Sequence, residues 1–215
     1  IMLVMLMATL LLVLPAQAQG TDLGSLARYV PDGTSIYAAL DTSPGSLETV
    51  DSLFGRLAPM LGAPAGTSLM DMLDEGIQYM DPQGDFDSLI GSWLGDSIAL
   101  SVVSPTGSLE DGDMYVFLSV TDELRASKYI HLVLENNYDG ENYTISDYAD
   151  GTLYLAPEDA PWNESYWLGS DVLVVLDSSY DGFNYELPTD GSLADSAKFN
   201  DTVAMLPEDN YGAML

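Results

Sequence analysis

The chain has 215 residues, with 34 Asp plus Glu against 5 Lys plus Arg, one His, no Cys and a formal net charge of −29. That balance excludes a nucleic-acid backbone as a partner, because counterion release needs a basic face, and it disfavours anionic membrane surfaces. The absence of Cys excludes disulfides, thiolate nucleophiles, thiolate metal sites and a lipidated Cys anchor. An apolar content of 47% argues for a folded chain, since a disordered acidic tail would be poor in apolar residues.

Residues 1–14 are apolar apart from Thr9, and Pro15-Ala16-Gln17-Ala18-Gln19 follows. Ala16-x-Ala18 offers the small residues a signal peptidase needs. The apolar run is too short to span a bilayer comfortably. Residues 1–18 therefore read as a signal peptide, shortened at its start because it has no initiator Met and no basic n-region. No later stretch is apolar for long enough to cross a membrane. The mature chain is expected to be secreted or extracytoplasmic, in the periplasm or at the cell surface.

Residues 22–29 read as a short helix before Pro31, and 35–40 (SIYAAL) as a strand. Ser43 is expected to cap a helix with Pro44 at its first position. Leu47, Val50, Leu53, Phe54, Leu57 and Leu61 follow a helical period, which Pro59 bends or ends. A second helix carries Leu69, Met70, Leu73, Ile77 and Met80 and stops at Asp81-Pro82. Asp85 is expected to cap a third, with Phe86, Leu89, Ile90, Trp93 and Leu94 on one face and Gly95 as its end. The pattern then changes to strands over 97–103 and 114–120. A helix over 121–136 precedes four short strands at 142–146, 152–156, 165–168 and 172–176. Asp150-Gly151 and Gly169-Ser170 read as hairpin turns. A last helix spans 193–205, and 211–215 begins a strand. Strands joined by tight turns must be antiparallel. The expected fold is α+β, a mostly antiparallel sheet with helices on one face.

Two stretches read alike. One is Val30-Pro31-Asp32 leading to Tyr37-Ala38-Ala39, and the other is Leu206-Pro207-Glu208 leading to Tyr211-Gly212-Ala213. Each is a helix end, an apolar-Pro-acidic step, a short turn and a strand. The division expected is 1–18 signal peptide, 19–192 one α+β domain, and 193–215 the start of a second, truncated unit.

VPDGTSIYAALDTSPGSLETVDSLFGRL, SLIGSWLGDSIALSV and SLADSAKFNDTVAMLPEDNYGAML resemble a family of uncharacterised exported bacterial proteins, the domain of unknown function 3352 family. The resemblance covers nearly all of 23–215. It implies a longer exported or envelope-anchored protein of two similar halves, and it brings no catalytic residues.

No catalytic, cofactor-binding or metal residue is assigned. His131, the one imidazole, lines up with Lys128 and Glu135 on a polar helix flank and reads as an ordinary surface histidine. There is no G-x-S-x-G, P-loop or G-x-G-x-x-G. Asp41 and Asp177 both follow an apolar strand and precede Thr or Ser, which would suit a carboxylate dyad; Ser in place of the Gly that lets such loops approach favours turn capping instead. No cofactor is expected, with calcium as the open possibility. Asp81, Asp85 and Asp87 form one acidic loop, Glu135, Asn137, Asp139 and Gly140 a second, and Asp177, Asp181 and Gly182 a third, but Ser146 and Pro188 stand where an EF-hand needs Glu. Tyr138, Tyr143, Tyr148, Tyr154, Tyr166, Tyr180 and Tyr185 with Trp162 and Trp167 are either strand packing or a sugar-stacking face. Met60, Met70, Met72 and Met80 read as core.

The sequence supports a non-enzymatic extracytoplasmic binding or envelope-structural module, with no identified partner. The alternatives are a calcium-stabilised adhesion or glycan-binding module and a secreted carboxylate hydrolase. The exported chain is expected to begin at Gln19, which intact mass of the secreted protein checks; recovery of an uncleaved Ala18–Gln19 bond would refute it.

Overall fold

A computed structural model describes residues 24–61, 64, 66–103, 113–137, 143–157, 164–177, 186–188, 191–205 and 212–214. Residues 1–18, residues 206–211 of the second like stretch, much of the second and third acidic loops, Tyr138, Trp162, Tyr180 and Tyr185 lie outside the described residues. The described strands are β1 (Thr34–Asp41), β2 (Leu94–Val103), β3 (Asp113–Val120), β4 (Thr144–Tyr148), β5 (Gly151–Leu155), β6 (Glu164–Leu168), β7 (Val172–Asp177) and β8 (Gly212–Met214). They form one eight-stranded sheet in the order β4-β5-β6-β7-β3-β2-β1-β8. Every neighbouring pair is antiparallel. The helices are α1 (Pro44–Leu57), α2 (Leu69–Met80), α3 (Glu123–Asn137) and α4 (Ala197–Val203), with shorter turns at Ser25–Tyr29, Asp87–Gly91 and Leu193–Asp195. This is the α+β class the sequence indicates.

Strand side chains alternate between two apolar layers. Ala38, Leu40, Ile98, Leu100, Val116, Leu118, Leu173 and Val175 pack under α1, α2 and α3. Ala39, Ala99, Tyr115, Phe117, Val174 and Leu176 point the other way, where Leu26, Ala27, Leu193 and Phe199 cover them. The long helices thus lie on one face, as expected, and a smaller cap of short helical turns closes the other. With both faces covered, the middle strands read as continuous apolar runs rather than alternating ones.

Three local expectations need correction. Residues 86–94 form no full helix. Asp87–Gly91 is a single π-helical turn, and Leu94 already belongs to β2. The apolar spacing is nonetheless real, since Phe86, Ile90 and Trp93 are buried. Gly95 then lies within β2, where an added Cβ would stand 2.6 Å from Ser119 Oγ. Ser43 precedes α1, but its side chain caps nothing there; its hydroxyl donates to Ser46 Oγ at 3.0 Å. The last helix is split. Ser196 takes an extended backbone, ending Leu193–Asp195, and its Oγ accepts from Phe199 N–H to start α4.

Two devices fix the ends of elements. The β4–β5 turn is Ala149-Asp150, not Asp150-Gly151, because Tyr148 pairs with Gly151. Gly151 is required for space, since a Cβ there would meet Leu168 O at 2.4 Å and the Trp167 ring at 2.8 Å. At α2, Ser68 Oγ accepts from Asp71 N–H at 3.1 Å. Asp51, on α1, accepts from Leu69 N–H at 2.6 Å and from Ser68 Oγ at 2.9 Å. A carboxylate at a helix N-terminus satisfies orphan donors and opposes the positive end of the helix dipole. Asp51→Ala is expected to cost about 1–2 kcal/mol, read by chemical denaturation against wild type; an unchanged midpoint would remove this role.

Candidate functional site

The helical layer does not close completely over the sheet. Between α2 and α3, above β3, β6 and β7, a pocket of about 260 Å³ opens. Leu73, Ile77, Ile90, Leu118, Val133, Leu173 and Val175 give it apolar walls. Gly76, on α2, also lines it, and Tyr79 and Asn137 stand at its mouth. Tyr79 is 92% exposed, an aromatic ring on a rim rather than in a core.

Three polar side chains reach this apolar space. Glu164 is only 4% exposed. It opens β6, and the two-residue period of that strand puts it on the same face as Tyr166 and Leu168. Tyr166 donates its hydroxyl to Glu164 Oε2 at 2.7 Å. Tyr129, on α3, is buried beside them and packs against Trp93, with ring centroids 5.4 Å apart. Burial first, and the Glu164 charge second, push the Tyr129 hydroxyl well above the usual phenol range. Its proton is therefore held at any ordinary pH. The arrangement is a carboxylate acceptor set among protonated phenols at the base of an apolar chamber. It suits a ligand with an apolar body and one donating group, an amine or a hydroxyl.

The residues singled out from sequence are placed elsewhere. Asp41 and Asp177 cannot share a proton. Asp177 pairs with Met114, Met114 with Val102, and Val102 with Ile36. Asp177 is therefore level with the start of β1, while Asp41 ends it, three strands away. From strand spacing and rise this is roughly 20 Å. Asp41 is buried, and its Oδ1 accepts from Ser43 N–H at 2.8 Å, a turn-capping role. The residue facing Asp177 across β6 is Glu164. His131 is not an ordinary surface residue. It is half-buried, its Nδ1 lies 2.9 Å from Tyr143 Oη, and its ring meets Tyr143 and Tyr154 edge-on.

In the first acidic loop the carboxylates bind backbone. Asp81 Oδ1 accepts from Gln83 N–H at 3.0 Å and Asp85 Oδ1 from Ser88 N–H at 2.7 Å, and the Ser88 bonds hold the Asp85 carboxyl below its usual range. Among the described residues no group of three or more His, Cys, Asp or Glu is arranged to hold a metal ion, and no helix is long and apolar enough to cross a membrane. Tyr154, Tyr166 and Trp167 are buried in the sheet's two layers, so they form no sugar-stacking face. Glu164, Tyr129 and Tyr166 do not stand out as a site in the sequence. The signal available is a lone acid opening an otherwise uncharged, aromatic strand, ESYWL.

On the opposite face Tyr115 is pushed up to about 12, by burial and then by the Asp113 charge. For both buried phenols the folded value lies above the unfolded one. Their contribution is thus intact below pH about 10 and is lost as pH rises toward the folded values. Alkaline titration is expected to show ionisation of these two tyrosines together with loss of circular dichroism; their ionisation in a still-folded chain would contradict it.

Compared with protein-family models, curated proteins and solved structures, the chain matches none. The family resemblance therefore rests on the three sequence stretches that carry it.

Proposed function

We propose that the chain is a non-enzymatic, extracytoplasmic binding module whose pocket takes a small, mostly apolar molecule bearing a neutral or cationic donor group. The observation that carries this reading is Glu164, a carboxylate kept in a largely apolar chamber with a phenol donated to it. Burying a carboxylate costs free energy unless it is hydrogen-bonded or paired, and a ligand donor would add such a bond. The net charge of −29 favours the same choice, because it repels anions from the mouth. The chamber volume fits a compact ligand of one to three rings rather than a long acyl chain.

The test uses N-phenyl-1-naphthylamine, a neutral fluorescent probe with one N–H. Its emission is expected to rise and saturate on titration into the protein, while an anionic naphthalene sulfonate gives little response. Val133→Phe, which fills the chamber, is expected to weaken the probe at least tenfold with the fold retained by circular dichroism. Glu164→Gln should spare the neutral probe but weaken competition by phenylethylamine about tenfold, as expected for loss of a charge-assisted bond. Binding insensitive to Val133→Phe, or absent, would overturn the reading.

A further inference from the structure

One residue of the chamber wall works against the helix that carries it. Gly76 lies inside α2 (Leu69–Met80) and has no positive φ. Alanine would serve that backbone better, because glycine loses more freedom on folding and lowers helix propensity. A glycine kept inside a helix marks a place where a side chain would be in the way. Gly55, inside α1, shows one such reason. The backbone of 66–67 crosses it: Gly66 N–H donates to Gly55 O at 3.2 Å, and a Cβ at Gly55 would stand 3.5 Å from Thr67 O. Gly76 instead borders the chamber, beside Leu73, Ile77 and Met80, at the spacing of one helix face. Leu73 and Ile77 are buried, while Gly76 is half-buried. The α2 wall thus lacks one side chain between its apolar interior and its mouth.

A second observation concerns the same rim. Tyr79 stands about one turn beyond Gly76, lines the chamber and is 92% exposed. Side chains on a helix lean towards its N-terminus, which puts the Tyr79 ring on the Gly76 side of the mouth. A single exposed aromatic is ordinary on a protein surface. This one borders an apolar chamber, next to the place where a side chain is missing.

We propose that Gly76 is the port of the chamber and that Tyr79 stacks on the outer ring of the ligand, so that the site takes flat aromatic amines. This rests on the binding reading above and narrows it to a substrate class. The amine end bonds Glu164 at the base, the apolar walls hold the middle, and the outer ring passes the bare backbone at Gly76 to meet Tyr79. An aromatic pair adds affinity beyond the area it buries, which an aliphatic amine of the same size cannot collect.

The test compares 1-naphthylmethylamine with 1-adamantylmethylamine, which matches it in charge and carbon count but has no flat ring. Each is titrated by its displacement of N-phenyl-1-naphthylamine from the chain. Gly76→Ala is expected to raise the melting temperature by about 2–4 °C. The same change should weaken the naphthyl amine about threefold, and Gly76→Leu about tenfold with circular dichroism retained, because each fills the port. Tyr79→Ala should weaken the naphthyl amine about fivefold and leave the adamantyl amine within about twofold. A melting temperature lowered by Gly76→Ala assigns the glycine to helix packing and overturns the port, as does unchanged affinity in Gly76→Leu. Equal effects of Tyr79→Ala on the two amines overturn the stacking. Wild-type protein that binds no N-phenyl-1-naphthylamine refutes the binding reading and this inference with it. Wild-type binding that all three variants leave unchanged refutes this inference alone.

Discussion

The fold depends on covering two faces of one sheet. β2, β3 and β7 send successive side chains into separate apolar layers, and neither layer can be left wet. Burial at about 25 cal/mol per Å² drives both. The larger layer recruits three long helices, which pin one another through contacts such as Asp51 on the start of α2. The smaller layer is closed by short turns, tied down where Arg28 and Tyr29 both reach the Asp171 carboxylate in the β6–β7 turn. One of the chain's five basic side chains is spent on that junction.

The pocket arises from the same constraint. Two helices over a wide, twisted sheet leave a gap where they diverge. Here the gap falls above the end of β6, where Glu164 takes an inward position. Alternation along the strand leaves it no other face, because Ser165 and Trp167 occupy the opposite one. The carboxylate and the Tyr166 phenol are thus placed by strand register and Tyr129 by α3, which makes them a rigid set rather than a loop-borne one. A heavily acidic exterior and the acid buried in the pocket act in the same sense on an approaching ligand, one at long range and one at contact.

Periodicity makes the larger elements legible. The stripes of α1 and α2, the apolar runs of β2 and β3, and the β6–β7 hairpin can all be read from the residues. Boundaries fail where tertiary contacts override local preference. Phe86, Ile90 and Trp93 have helical spacing, but one turn suffices to bury them before β2 begins. Ser43 sits where a capping residue should, yet the Ser46 N–H bonds Ser43 O and the Ser43 hydroxyl turns to Ser46 Oγ instead. The site is less legible than the fold. Asp177 stands out through its resemblance to Asp41, whereas only strand order reveals Glu164 as its neighbour. Tyr166 reads as strand packing or a stacking face, and its bond to Glu164 two residues earlier emerges only once both are buried; Tyr129 gives no signal, because it meets Glu164 only through the packing of α3 on the sheet.

The two margins of the sheet differ. β4, at one margin, is exposed along most of its length, with Asp147 and short polar residues breaking up Ile145. Such an edge discourages further pairing. β8, at the other margin, is three residues long among the described residues, so on neither side does the sheet offer a long, unbroken row of backbone groups on which a stray strand could template itself.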